Sequence, residues 1–189
     1  MDFQPSLLDA AAAGAEHVGL GLLAGRVRRT ELSRGAWIDV LPAWFEGADH
    51  LFGQLVRTVP WRAERRPMYD SVVDVPRLLH TYGAGEPLPH PVLADAREAL
   101  SAHYAPELGE PFVTAGCCYY RHGHDSVAWH GDNIGRGRSQ DTMVAIVSFG
   151  SPRKLQLRPV GGQISFSQAL GHGDLIVMGG SCQRTWEHA

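Results

Sequence analysis

A chain of 189 residues fits one domain, or one domain with a short N-terminal arm. Its 44% hydrophobic and 20% charged residues exclude a mostly disordered chain, and 22 Gly with 12 Pro favour many turns and short strands over a helical bundle. A net charge of −3 excludes a basic field over the whole protein that would draw it to nucleic acid, although every basic residue except Lys154 is Arg.

In chain order, residues 1–35 read as an arm: a short Ala-rich helix around Ala10 to Ala15, then Arg26, Arg28, Arg29 and Arg34 among small residues. Asp2, Asp9 and Glu16 with no early basic residue do not make a signal peptide, and the apolar stretch from Val18 to Gly25 is too short to span a bilayer, so no membrane partner is expected. Ala36 to Leu41 reads as a strand. Pro42 then opens a helix carrying Phe45, Ala48, Leu51, Leu55 and Val56 near helical spacing. Pro89 and Pro91 open a second helix, with Val92, Ala96, Ala99, Leu100 and His103 on or near one face. Residues 36–111 are therefore read as helices and a lid, leading into a main domain that spans 36–189.

From about residue 112 the pattern changes to short strand-like runs: Phe112 to Arg121, Thr142 to Phe149, Leu155 to Arg158, Gln163 to Ala169 and Asp174 to Met178. Gln163 to Ser167 alternates apolar and polar, which predicts one buried and one wet face. Helices followed by strands without crossover helices predict a mainly β, α+β fold: an antiparallel barrel or jelly roll over residues 112–189, with helices packed on one side. Cys117, Cys118 and Cys182 contain no CxxC pair and two are adjacent, so a disulfide framework is not expected. A reduced, cytoplasmic setting fits them best.

The densest chemistry runs from Tyr119 to Asp132. His130 and Asp132 are two apart, and on a strand such a pair points to one face, where an imidazole and a carboxylate suit a metal such as Fe(II). Two His and one carboxylate leave three coordination positions open for oxygen and a co-substrate. A His-x-Asp pair arises about 0.6 times by chance in a chain of this composition, and a second one exists, His172-Gly173-Asp174. That pair brackets a Gly just before Leu175 to Met178, as hairpin-turn residues do. It lies only 14 residues before His188, whereas Asp132 has 56 residues in which several strands can return His188 to its side. Spacing thus favours His130 and Asp132 without excluding the other pair. His122 and His124 also share a face but sit among turn residues.

With those residues in view, 112–188 resembles the catalytic core of the AlkB-type Fe(II)/2-oxoglutarate-dependent dioxygenases. The resemblance is carried by Tyr120-Arg121-x-Gly123, His130-x-Asp132, Ile146 to Gly150, Gly173 to Gly180 and Gln183-x-x-Trp186-x-His188. Upstream, Val75-Pro76-Arg77 and Tyr82-Gly83 resemble the substrate lid of the DNA-repair members, so the likeness covers about 60–188. It implies a double-stranded β-helix holding Fe(II) on His130, Asp132 and His188, with His172-Gly173-Asp174 left as a turn. It further implies 2-oxoglutarate and O2 as co-substrates, with Tyr120 hydrogen-bonding the former, and Arg77 and Tyr82 contacting the substrate strand. The implied reaction is oxidative demethylation of N-alkylated bases in alkylated DNA or RNA, as in repair of DNA damage. The alternatives are a dioxygenase of the same family acting on a protein or small molecule, and a catalytically incomplete nucleic-acid-binding paralogue. Trp61 and Tyr69 sit among Arg62, Arg65 and Arg66, the mixture of aromatics and cations that a flipped-base platform uses, and they are the further substrate-binding candidates.

Three positions depart from the family pattern. Cys118 stands where the family has Asn, and a thiol is the poorer hydrogen-bond donor. Asn133 and Ile134 stand where the repair enzymes carry an acidic residue that reads the base. The family also has a strand beyond the third ligand, with two Arg six apart, one of which pairs with the distal carboxylate of 2-oxoglutarate. That strand is missing from the 189 residues, so the natural chain is expected to continue past Ala189. Within the chain Arg153, Arg158 and Arg184 are the available substitutes, and spacing does not single one out. A monomer is expected.

Overall fold

The structure, a computed structural model, describes residues 17–68, 71–132, 137 and 139–189, without the side chains of 66–72. Its centre is a four-stranded antiparallel sheet in the order β2-β3-β11-β8, built from β2 (Arg28–Glu31), β3 (Ala36–Leu41), β8 (Val144–Ser148) and β11 (Asp174–Gly180). Strand β11 is buried on both faces, which is why Leu175 to Met178 reads as a continuous apolar run. Alternation sorts its side chains by layer. Leu175 and Val177 join Trp37 and Leu41 of β3 against Ala48 and Leu51 of α1 (Ala48–Thr58) and Val92, Ala96, Leu100 and Tyr104 of α2 (Pro91–Leu108). Ile176 and Met178 join Ile38 on the opposite face.

That opposite face packs on a three-stranded antiparallel sheet, β10-β9-β12, from β9 (Arg153–Pro159), β10 (Phe166–Leu170) and β12 (Trp186–His188). Leu155, Leu157, Leu170 and Trp186 fill the space between the two sheets. A hairpin of β5 (Arg62–Met68) and β6 (Ser71–Tyr82) pairs through β6 with β7 (Ala115–Tyr119), and β1 (Gly19–Leu20) pairs with β4 (Phe45–Glu46). A single helical turn, α3 (Cys182–Thr185), links β11 to β12. Among the described residues no helix is long and apolar enough to cross a membrane.

Several expectations shift. The Ala-rich helix of the arm lies outside the described residues, but Arg28–Glu31 is an exposed edge strand paired with β3 rather than an arm. A cross-strand ion pair holds it: Arg29 donates from Nε and Nη2 to both oxygens of Asp39 at 2.8 Å, and Asp39 also accepts from the Tyr104 hydroxyl at 3.0 Å. The buried Asp39 carboxylate is thereby paired, as a buried charge must be.

The first helix begins at Ala48, not Pro42, because Gly47 at φ +64° breaks the helical path and Phe45 donates its N–H to Gly173 O at 3.1 Å. The second helix forms with Val92, Ala96 and Leu100 buried as expected, but Tyr104 completes the buried row four apart, while His103 of the expected face is exposed. The stretch read as helices and a lid also holds the longest strand, β6. Its register against β5 shifts between Ala63 and Arg65, next to Pro76, which lacks the N–H that an unbroken ladder would use. The strand around Gln163 starts only at Phe166; Phe166, Gln168 and Leu170 turn inward while Ile164 stays exposed.

Candidate metal centre

His130 and His188 are brought together by the backbone. The His130 N–H donates to His188 O at 3.1 Å and the His188 N–H to His130 O at 2.8 Å, so the segment around His130 extends the β10-β9-β12 sheet by one antiparallel bridge. The segment approaches so closely that a Cβ on Gly131 would lie 2.7 Å from Gln183 O and 3.2 Å from Trp186 O, leaving room only for a hydrogen. Asp132 follows, with its N–H donated to Gln183 Oε1 at 3.0 Å.

The three side chains converge. Asp132 Oδ1 is 3.8 Å from His130 Nε2, Asp132 Oδ2 is 3.6 Å from His188 Nε2, and the ligand atoms all lie within 4.8 Å of one another. His130 Nδ1 is 2.8 Å from Ala128 O; a carbonyl only accepts, so Nδ1 is the donor there and Nε2 is the nitrogen turned to the cluster. His188 is 5% exposed, and burial, helped by His130 and opposed by Asp132, lowers its pKa to about 4. It is neutral at pH 7 and also offers a lone pair. Two imidazoles and one exposed carboxylate on one side form a donor set that fits Fe(II) with open positions.

In the competing pair, one imidazole nitrogen and both carboxylate oxygens are engaged elsewhere. His172 Nδ1 accepts from Gly150 N at 2.7 Å, and Asp174 accepts from Ala43 N at 2.8 Å and Gly171 N at 2.7 Å. Gly173 between them has φ +80°, so this is the turn that starts β11. His122 and His124 are exposed on the loop after Tyr120, and neither belongs to the cluster.

That loop is tied down from two sides. Arg121 donates from its backbone N, Nε and Nη2 to Asp125, which is 2% exposed, at 2.8–3.0 Å. Arg153, from β9, donates to the carbonyls of His122 and Asp125 and lays its guanidinium 4.5 Å from the centre of the Tyr120 ring. Burial raises the Tyr120 pKa, Cys118 adds to the rise, and Arg77 and Arg153 oppose it. Of the three arginines that spacing could not rank, Arg158 is bound to Glu187 at 2.8 Å and Arg184 to Asp141, whereas Arg153 lies on Tyr120.

The remaining candidates separate. Arg77 donates from Nη1 to Ser126 O at 3.0 Å, beside the Tyr120 loop. Tyr82 is five residues further along β6, roughly 16 Å at strand rise, and is buried with its ring 4.5 Å from His80. Trp61 bonds its indole N–H to Val56 O at 3.2 Å and packs 5.3 Å from Tyr119, so it is not brought into the cluster. Tyr69, Asn133 and Ile134 lie outside the described residues. Residue reasoning missed the roles of Gln183 and Gly131, the Arg153 contact with Tyr120, and the contact of Arg158, whose guanidinium sits 4.3 Å from the Trp129 ring while pairing with Glu187. Gln183 stood in the quoted motif, yet its role depends on a contact across 51 residues that no local signal reports.

The profile of the 2OG-Fe(II) oxygenase superfamily matches residues 82–189, a span that contains Tyr120 and all three convergent ligands. The chain belongs to the 2OG-Fe(II) oxygenase superfamily. Within it, the chain is 31% identical over 164 residues to alpha-ketoglutarate-dependent dioxygenase alkB homolog 3 of Bos taurus and 30% identical to that of Homo sapiens. Each alignment covers 75% of this chain and 54% of the relative, so the chain spans about half the length of the curated relatives it matches. This superfamily uses Fe(II), 2-oxoglutarate and O2, and His130, Asp132 and His188 are the residues that would hold its iron.

Proposed function

We propose that this protein catalyses Fe(II)/2-oxoglutarate-dependent oxidative demethylation of N-alkylated bases in DNA or RNA, on a jelly-roll core formed by the two facing sheets. The observation that carries the proposal is the convergence of His130 Nε2, Asp132 and His188 Nε2, with the His130 tautomer set by Ala128 O. The likeness to relatives named alkB homolog 3 supports an alkylated nucleic acid as the substrate. Bound there with 2-oxoglutarate and O2, iron supplies the oxidation of the alkyl carbon.

The chain's own residues do the positioning. The His130–His188 bridge sets two imidazoles side by side, and Asp132 closes the set from the neighbouring backbone position. Tyr120, with the Arg153 guanidinium 4.5 Å from its ring centre and Arg77 nearby, would hydrogen-bond the co-substrate in a locally cationic setting. Arg77 of β6 and Arg153 of β9, both bonded to carbonyls of the loop after Tyr120, offer positive charge to a phosphate backbone, although the chain as a whole is acidic. Trp61, just before the adjoining hairpin, packs against Tyr119. A monomer in a reducing, cytoplasmic compartment accords with three free thiols.

The test is succinate formation from 2-oxoglutarate with Fe(II) and ascorbate, followed by a panel of methylated oligonucleotides. Activity on a methylated oligonucleotide that vanishes in His130→Ala is the expected result. Succinate formation that is never stimulated by any methylated DNA or RNA would move the substrate to a protein or small molecule. Absence of succinate formation, with nucleic-acid binding intact, would favour the non-catalytic paralogue.

A further inference from the structure

Asp132 is the exposed member of the ligand set, with 44% of its side chain accessible, against 7% for His188. The histidines are fixed by a two-way backbone bridge, whereas Asp132 lies past that bridge, next to residues 133–136, which are outside the described set. Among the described residues, the hydrogen bond that reaches the Asp132 backbone comes from one side chain, Gln183, whose Oε1 accepts the Asp132 N–H at 3.0 Å.

Gln183 is well built for this task. It is 2% exposed and belongs to α3, the turn that leads directly into β12 and His188. Its own carbonyl faces Gly131, where a Cβ would come within 2.7 Å. Residue 183 therefore touches the His130–Asp132 segment twice, once through its main chain and once through its amide. The amide orientation is also determined, since only the oxygen can accept from the Asp132 N–H. Its Nε2 is left buried without a hydrogen-bond partner. Buried polar groups are nearly always satisfied, and an orphaned amide nitrogen beside a metal ligand calls for an explanation. A same-sized apolar side chain would fill the space without stranding a donor, so the oxygen is the part of Gln183 that this site uses.

We infer that Gln183 is a positioning residue for the metal centre: its amide oxygen sets the Asp132 backbone and so holds the carboxylate facing His130 and His188. This inference rests on the metal-centre reading and goes beyond it by assigning a residue that does not touch the metal. Outer contacts of this kind typically change metal affinity 10- to 100-fold.

The experiment titrates Mn(II) into the 189-residue chain, followed by calorimetry and by the electron paramagnetic resonance spectrum of the bound ion, with no turnover needed. Gln183→Met keeps the volume and removes the acceptor; it is expected to weaken Mn(II) binding 10- to 100-fold and to alter the spectrum. Gln183→Glu keeps an oxygen at the same place and is expected to bind within about threefold of the unmodified chain. Equal binding by Gln183→Met and the unmodified chain overturns the inference, as does an equal loss in both variants. A general loosening of the fold is separated by a double mutant with Asp132→Ala. If Gln183 acts through Asp132, adding Gln183→Met to Asp132→Ala costs no further affinity; an additive loss overturns the inference. An unmodified chain that binds no Mn(II), or an Asp132→Ala variant that binds as tightly as the unmodified chain, overturns the metal centre itself, and this inference with it.

Discussion

The main chains of His130 and His188 hydrogen-bond to each other in both directions, at 3.1 and 2.8 Å, so that their rings lie 4.2 Å apart at the edge of the smaller sheet. The proposed iron ligands are therefore an outcome of strand pairing. Whatever disturbs this pairing disturbs the metal before it disturbs the fold, because the bridge is a single residue pair while the sheets behind it share a continuous core.

Gly131 tests that dependence most directly. Gly131→Ala places a methyl 2.7 Å from one backbone oxygen and 3.2 Å from another, and neither can rotate away. The expected cost is about 1–3 kcal/mol of stability, the usual range for overpacking, together with loss of Mn(II) binding. Urea unfolding and calorimetric titration measure the two effects. A variant that binds Mn(II) normally would show that the 128–132 segment is less tightly seated than it is here.

Leu157 pairs with His188 across β9 and β12 and is fully buried between the sheets. Leu157→Ala is expected to cost roughly 2–5 kcal/mol, the transfer term plus the cavity. Thermal unfolding checks this, and the lost support beneath β12 should also lower metal affinity.

Arg153 ties the 122–125 loop by two carbonyls and stacks on Tyr120. Arg153→Met retains much of the stem but not the donors. Its expected effect is about a tenfold higher KM for 2-oxoglutarate, the size of one lost charged hydrogen bond, with Mn(II) affinity unchanged. Steady-state kinetics with varied 2-oxoglutarate, alongside the metal titration, distinguish this from general unfolding.

Asp125 supplies a pH signature. The Arg121 guanidinium and backbone N–H hold its carboxyl well below the ordinary carboxylate range. A depressed folded-state pKa contributes stability that is complete above the unfolded value of about 4 and is lost progressively as pH falls below it. Stability measured by urea unfolding from pH 7 down to pH 2 should thus decline more steeply below pH 4 in the unmodified chain than in Asp125→Asn. The variant should be less stable at pH 7 and should converge on the unmodified chain at the acid end. Parallel profiles would remove Asp125 from the account.

Much of the architecture was legible locally. The apolar run Leu175 to Met178, the period-four pattern of Val92, Ala96 and Leu100, and the Gly-centred turn at His172 to Asp174 are each produced by neighbours in the chain, and the structure contains all three. What local pattern misplaced are elements whose partners are distant. Arg28–Glu31 looked like an arm because its partner strand completes it, and Phe45–Glu46 looked helical because apolar spacing does not reveal that Phe45 N bonds to Gly173 O.

The sequence by itself determined the chemical types at the centre and their order along the chain: an imidazole and a carboxylate two apart, a second imidazole far downstream, and a Tyr upstream. It also carried the family likeness that assigns them to one metal. Only the tertiary structure decided which His-x-Asp pair was free to bind, by occupying His172 and Asp174 with backbone N–H groups. It likewise decided which arginine meets Tyr120 and that Gln183 reaches Asp132. Spacing along one strand is a local property, whereas hydrogen-bond occupancy is settled by whichever residues the fold delivers to the same place.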